Sequence, residues 1–320
     1  MKMYYIGIDL GGTNIAAALV DEEGQVSNKI SIKTDAGLGK EAVTGGLMRA
    51  CDMVAGQSGV DKSEIKSVGI GAPGMMNFDT GVVLYCPNIP AINHVDITSE
   101  IKKKYGVPVY INNDANCAAL GEVVAGGAKG AKDALFVILG TGVGGGIVID
   151  GKIYTGHNGV AGEIGHIVIS LDGRECGCGR KGCWEAYASA SGLIKTTKEF
   201  MLRDRGSVMW KLVGGDIDQT SGRTAFEAMR KGDKSGSEAV DLYINHLAAG
   251  VIDMINIFQP EVICIGGGIS HEGEYLLKPL QKVVDAGKYG RASDEISHSR
   301  LVCATLGNDA GIVGAAMLGR

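Results

Sequence analysis

One arrangement, a strand followed by a glycine turn and a second strand, occurs twice in this chain and narrows what it can fold into. Residues 4–24, YYIGIDLGGTNIAAALVDEEG, begin with an apolar β-branched run and turn at Gly11 and Gly12. They continue apolar from Ile15 to Val20 and turn again between Asp21 and Gly24. Residues 134–154, ALFVILGTGVGGGIVIDGKIY, repeat the plan, with the glycine turn at 140–146 and a second turn at Asp150 and Gly151. Short apolar runs bounded by glycine and acidic turn residues mark buried strands joined as hairpins. Two such starts about 130 residues apart predict an internal duplication of one α/β unit, giving two lobes that face each other. Glycine supplies 51 of the 320 residues, about twice the usual fraction of roughly 7%. It gathers at strand ends, where a backbone or a ligand can approach closely.

The remaining segments fit the same plan. SVGIGAPG (67–74) and VPVYINND (107–114) read as short buried strands ending in loops, and ANCAALGEVVAG (115–126) as a helix with small apolar residues on one face. PEVICIGGGIS (260–270) is another strand that runs into glycines. Segments 236–258 and 308–318 have helical periodicity, the second with Asn308 or Asp309 as its cap. Residues 203–223 are polar and glycine-rich without a period, which predicts a mobile connection. A hydrophobic share of 45% fills one large or two ordinary domains. The net charge of −5 leaves no basic footprint for nucleic acid or an anionic membrane, and no apolar run is long enough to span one.

Residues 163–185, EIGHIVISLDGRECGCGRKGCWE, place His166, Cys176, Cys178 and Cys183 in one loop, flanked by Glu163 and Glu185. One imidazole and three thiolates form a complete tetrahedral zinc set with no open position, so the ion would be structural rather than hydrolytic. The alternatives are a disulfide or plain buried thiols. Eight cysteines are an ordinary load for this length, and the start MKMYYIGID has no secretory pattern, so a reducing cytoplasm is expected. Cys51, Cys86, Cys117, Cys264 and Cys303 stand singly in mostly apolar surroundings and read as core fillers. His94, His157, His246, His271 and His298 have no metal-binding neighbours in sequence and read as surface or core residues.

The glycine turns invite a phosphate reading. Gly140, Gly142 and Gly145 match G-x-G-x-x-G, but that fingerprint should open a helix, and here GGIVID continues as a strand. No Walker-type G-x-x-x-x-G-K-[ST] is present. A glycine turn within a hairpin can instead aim consecutive backbone N–H groups at an anion. Two such turns, together with Gly266, Gly267 and Gly268, point to a nucleotide held between lobes.

DLGGTN (9–14), GAPG (71–74), NNDAN (112–116), LGTGVGGG (139–146), EIGH (163–166) and CGCGRKGCWE (176–185), in this order over nearly the whole chain, resemble the ROK family of bacterial sugar kinases, in the actin-like ATPase superfamily. The resemblance implies an α/β, actin-like (ribonuclease H-like) two-lobed fold with duplicated βββαβα-type domains and a cleft between them. The small lobe would comprise 1–112 plus about 306–320, and the large lobe 113–305 with the zinc loop 163–185. The implied activity is transfer of the γ-phosphoryl of ATP to the 6-hydroxyl of glucose. Asp114 would be the general base, although a carboxylate at that place could also merely cap the helix after it. Asp9 would hold Mg2+ through water. Gly11, Gly12 and Thr13, with Thr141, Gly142, Gly144 and Gly145, would cradle the phosphates, and Gly266, Gly267 and Gly268 would lie under the adenosine.

By the same resemblance, the sugar ligands are Asn88, Asn113, Asp114, Glu163, His166 and Glu185. His166 would serve both zinc and sugar, one ring nitrogen on each. Asn88 rests on the family pattern alone, because PNIP also reads as a plain turn. Asn14 stands where many family members carry lysine, and no role is assigned to it. The expected cofactors and partners are ATP, Mg2+, one structural Zn2+ per chain, a hexose and further copies of the chain as a homodimer or homotetramer. The same motifs also serve kinases for N-acetylmannosamine, fructose or allose, so the hexose is open. Sugar-responsive repressors of the family carry an added DNA-binding domain, and the eight residues before Asp9 leave no room for one here.

Overall fold

The computed structural model describes residues 2–290 and 299–320, so His298 lies outside the described residues. The strands are β1 (Tyr4–Leu10), β2 (Asn14–Asp21), β3 (Val26–Lys33), β4 (Ile65–Ala72), β5 (Met75–Asn77), β6 (Val82–Tyr85), β7 (Val95–Asp96), β8 (Val109–Asn113), β9 (Ala134–Leu139), β10 (Val143–Ile149), β11 (Lys152–Ile153), β12 (Val262–Gly266) and β13 (Arg300–Cys303). The helices are α1 (Lys40–Ser58), α2 (Ser99–Tyr105), α3 (Asp114–Ala125), α4 (Glu185–Ala188), α5 (Ala190–Arg203), α6 (Val208–Leu212), α7 (Thr224–Arg230), α8 (Lys234–Phe258), α9 (Glu274–Gly287) and α10 (Ala310–Met317). One sheet has the order β3-β2-β1-β4-β8 and another β11-β10-β9-β12-β13. The two orders match position for position, as duplication of one unit requires. A three-stranded sheet, β5-β6-β7, was not foreseen.

The chain forms two compact units. The first holds residues 1–136, 146–162 and 305–320, and the second 137–145 and 163–304. In the first unit, β1 is central and almost wholly buried, as its unbroken apolar run requires, while β3 alternates between buried and exposed at the sheet edge. Side chains along β1 alternate between faces. Ile6, Ile8 and Leu10 enter a core shared with Val43, Leu47 and Val54 of α1. Tyr5 enters another with Ile312, Val313 and Ala316 of α10. Gly7 and Asp9 share the parity of Tyr5 and so face α10. The helix sits close there, since a Cβ on Gly69 of β4 would stand 1.7 Å from the Ala315 carbonyl oxygen.

In the second unit, α8 is the central helix. The Asp233 side chain caps it by accepting from the Gly236 N–H at 2.7 Å, and Ala239, Tyr243, Leu247 and Val251 are among its buried residues. Residues 203–223, read as a connection without a period, contain α6 and a 3-10 turn at Ile217–Gln219. Polar anchors replace the missing periodicity: Asp233 accepts from the Val208 N–H at 2.8 Å, and the Trp210 indole donates to the Met201 carbonyl at 2.9 Å. At α10, Asp309 occupies the cap position, but its side chain makes no cap bond and instead accepts from Lys29. Among the described residues no helix is long and apolar enough to cross a membrane.

Candidate active site and Cys3His cluster

Strand register places the candidate residues of the first unit. β1 runs parallel to β4 with Asp9 opposite Gly71, and β4 parallel to β8 with Ala72 opposite Asn113. Asp9, the 71–74 turn and Asp114 therefore collect at the carboxyl ends of parallel strands, where open α/β sheets bind ligands. The Gly11–Gly12 turn closes with the Gly11 N–H on the Asn14 carbonyl at 3.0 Å. Asn88 lies against it, since a Cβ on Gly12 would sit 3.5 Å from the Asn88 carbonyl oxygen.

The alternative role for Asp114 belongs to its neighbour. Helix α3 starts at Asp114, and the N-cap is Asn113, whose Oδ1 accepts from the Ala115 N–H at 2.9 Å and the Asn116 N–H at 3.4 Å. Asn113 Oδ1 is thus committed to the helix, and Nδ2 donates to the Gly74 carbonyl at 3.4 Å. Two residues without an expected role brace this corner. Asn112 Oδ1 accepts from the Asn113 N–H at 2.8 Å and from Asn116 Nδ2 at 3.0 Å. Asn at i and i+4 across a strand-to-helix junction was the available signal.

Asp114 opens to solvent on one side, yet the surrounding protein raises its carboxyl above the ordinary range against the pull of the Ala115 N–H. Asp9 is pushed up to about 6, first by burial and then by the charge of Asp114, with Lys29 opposing. The folded form of Asp9 thus keeps a proton between about pH 4 and 6 that the unfolded chain has released, so stability falls through that window as pH rises. Asp9→Asn is expected to raise the melting temperature at pH 7.5 by roughly 2–6 °C, and by much less at pH 4. Melting curves of the two proteins at both values check this.

The second unit carries its own group of candidate residues. A 3-10 turn at Ile164–His166 presents His166, and antiparallel bridges Val168–Cys183 and Glu175–Lys181 fold the loop back on itself. The four ligand atoms of His166, Cys176, Cys178 and Cys183 lie within 4.8 Å of one another. Cys178 and Cys183 Sγ are 3.6 Å apart, and Cys176 Sγ is 3.7 Å from His166 Nδ1. Tetrahedral bonds of about 2.3 Å to sulfur and about 2.0 Å to nitrogen place neighbouring ligand atoms about 3.5–3.8 Å apart, so the set fits one ion. No disulfide joins Cys176, Cys178 or Cys183, so the three thiols remain available to a metal.

Glu163 is exposed at the start of the His166 turn. Glu185 starts α4, where its Oε2 accepts from the Val143 N–H at 3.0 Å and Oε1 from the Cys176 thiol at 3.5 Å. A Cβ on Gly142 would fall 2.1 Å from Glu185 Oε2, so a side chain there would displace the Glu185 carboxylate. A cavity of about 250 Å³ borders Thr141, Cys176, Glu185, Ser191 and Lys195, placing the glycine turn and the cysteine loop beside one space. Gly144 and Gly145 continue into β10. Gly266 ends β12, and Gly267 and Gly268 turn the chain into a 3-10 segment, Gly268 with open space around it.

The chain belongs to the ROK family, which it matches over residues 5–320, and it takes the actin-like α/β fold. It is 38% identical over 318 residues to the glucokinase of Thermotoga maritima, covering 99% of this chain and 97% of that protein. It is 37% identical over 317 residues to the glucokinase of Streptomyces coelicolor, covering 98% and 97%. Among solved structures it resembles a ROK family glucokinase from Streptomyces griseus in complex with glucose and AMPPNP, with a TM-score of 0.75, 36% identity and 98% of each chain covered.

Proposed function

We propose that the chain transfers the γ-phosphoryl group of ATP to the 6-hydroxyl of glucose. The observation that carries this is the Asp9–Asp114 pair at the ends of parallel strands, both raised above the ordinary carboxylate range, in a chain similar over its length to glucokinases. Asp114 accepts the hydroxyl proton as the sugar oxygen attacks the γ-phosphorus. The bond from phosphorus to the bridging oxygen breaks and ADP leaves. A carboxyl raised above its ordinary range accepts a proton more readily.

Asp9 would hold Mg2+ through water; the ion would supply charge neutralisation for the phosphates, and the charge of Asp114 acting on the partly buried Asp9 carboxyl fits a cation there. Backbone N–H groups of Gly12 and Thr13 and of Thr141, Gly142, Gly144 and Gly145 donate to phosphate oxygens, while Gly11, whose N–H closes the turn on Asn14, shapes the cradle. Gly266, Gly267 and Gly268 leave room for the adenosine. Asn88, Asn113, Glu163, His166 and Glu185 bind sugar hydroxyls together with Asp114, Asn113 through Nδ2 because its oxygen caps α3. His166 Nδ1 and the three thiolates would hold one Zn2+, which serves as a structural crosslink. With Nδ1 turned toward Cys176, Nε2 of His166 is free to donate to a hydroxyl. Loop thiols held in no disulfide suit a reducing cytoplasm, and the active species is taken as a homodimer or homotetramer.

A hexose panel with ATP as donor tests the reading. Glucose should exceed N-acetylmannosamine, fructose and allose in kcat/KM by about tenfold or more, the discrimination that one or two unmatched hydroxyl contacts provide. A preference for N-acetylmannosamine would overturn glucose. Sugar binding without any turnover would favour a sensor or repressor, for which a base at Asp114 has no use.

A further inference from the structure

Arg174 has no assigned role, yet its contacts join the cysteine loop to the helices beside it. Its side chain is 13% exposed. Nη1 donates to the carbonyls of Ala186 in α4 and Gly192 in α5 at 3.3 and 3.2 Å. Nη2 donates to Thr196 Oγ1 at 2.9 Å and to both oxygens of Glu199 at 3.2 and 3.1 Å. The guanidinium also lies over the Tyr187 ring, 5.0 Å from its centroid. The backbone of Arg174 is held as firmly. Its N–H donates to Tyr187 Oη at 2.6 Å, and its carbonyl accepts from the Gly182 N–H at 2.8 Å. Gly173 makes this possible, since a Cβ there would stand 1.9 Å from Tyr187 Oη.

The consequence falls on Glu185. α4 is a single turn of four residues, too short to hold itself in water. Arg174 grips the carbonyl of Ala186, the residue after Glu185, and the ring of Tyr187 one position further. Through Gly182 it also holds the segment entering Cys183, and Cys176 follows two residues later. We propose that Arg174 is a positioning residue that locks the cysteine loop to α4 and so aims Glu185 at the sugar. This rests on the assignment of Glu185 as a sugar ligand in the proposed kinase. The need is for a planar fork serving several acceptors on two helices, which a lysine ammonium cannot reproduce.

Arg174→Lys keeps the charge and loses the fork. Groups that orient a ligand typically account for about 10- to 100-fold in affinity or activity, and we expect the lower end here. The glucose Kd, measured by calorimetry without ATP, should rise about tenfold together with the glucose KM, while the ATP KM stays within about twofold and zinc per chain is unchanged. Tyr187→Phe removes only the hydroxyl that accepts from the Arg174 N–H. It should raise the glucose Kd about threefold, and it decides the matter if the lysine variant fails to fold. An unchanged glucose Kd, or glucose and ATP constants that rise together, overturns the inference. Wild-type protein that binds and phosphorylates no hexose would instead overturn the kinase reading, so the two failures are distinct.

Discussion

Asp114→Asn is expected to lower kcat for glucose phosphorylation about 10²- to 10⁴-fold, the contribution of a positioned general base. Folding should survive, because the cap of α3 is Asn113 and the helix start does not depend on the Asp114 carboxylate. Asparagine keeps the shape and a hydrogen-bonding oxygen, so glucose binding should remain measurable by calorimetry. Steady-state rates at saturating glucose and ATP give the answer. A kcat within about tenfold of wild type would remove Asp114 as the base, since a positioned base supplies more than that.

Cys183→Ala should have the second large effect. Cys183 is completely buried, and it is the ligand next to Trp184 and Glu185, where the loop returns to α4. With three ligands left, zinc content is expected to fall from about one per chain to a small fraction, since a structural ion is held by the full set. Several kcal/mol of folding energy would go with it, lowering the melting temperature by roughly 10 °C. Glucose affinity should suffer more than ATP affinity, because His166 and Glu185 flank the cluster. Cys51→Ala, in the α1 core, is the control and should leave the zinc content intact. Metal analysis of protein purified without chelator, followed by melting curves, tests both. A wild-type protein that is zinc-free and fully active would dismiss the ion as a structural element.

Much of the fold was legible because it is written in short-range patterns. The runs of β1, β4 and β12 are mostly buried along their length and lead into glycine turns, and strands stand where these runs do. The two hairpin starts led to two sheets of the same strand order. The β5-β6-β7 sheet escaped notice because its strands are two to four residues long. α6 escaped for another reason: what holds it is Asp233, more than twenty residues away, and not its own periodicity. At α10 the expected cap, Asp309, was drawn to Lys29, a partner 280 residues distant in sequence.

The cysteine loop separates the two kinds of information most clearly. Ligand chemistry depends on residue type, and local glycines allow the turns, so one imidazole and three thiols announced a tetrahedral set before any coordinates. That all four ligand atoms stand within 4.8 Å, and that Nδ1 rather than Nε2 faces a sulfur, depends on how the loop folds back through its two bridges. Likewise the residues marked Asp9 and Asp114 as acids of interest, but only tertiary structure placed them at the same end of one sheet, on strands either side of β4, and raised both carboxyls, because distance and local dielectric are properties of packing. Asn113 as cap, and Arg174 as the link between loop and helix, were decided there too, since each depends on partners that chain order does not bring together.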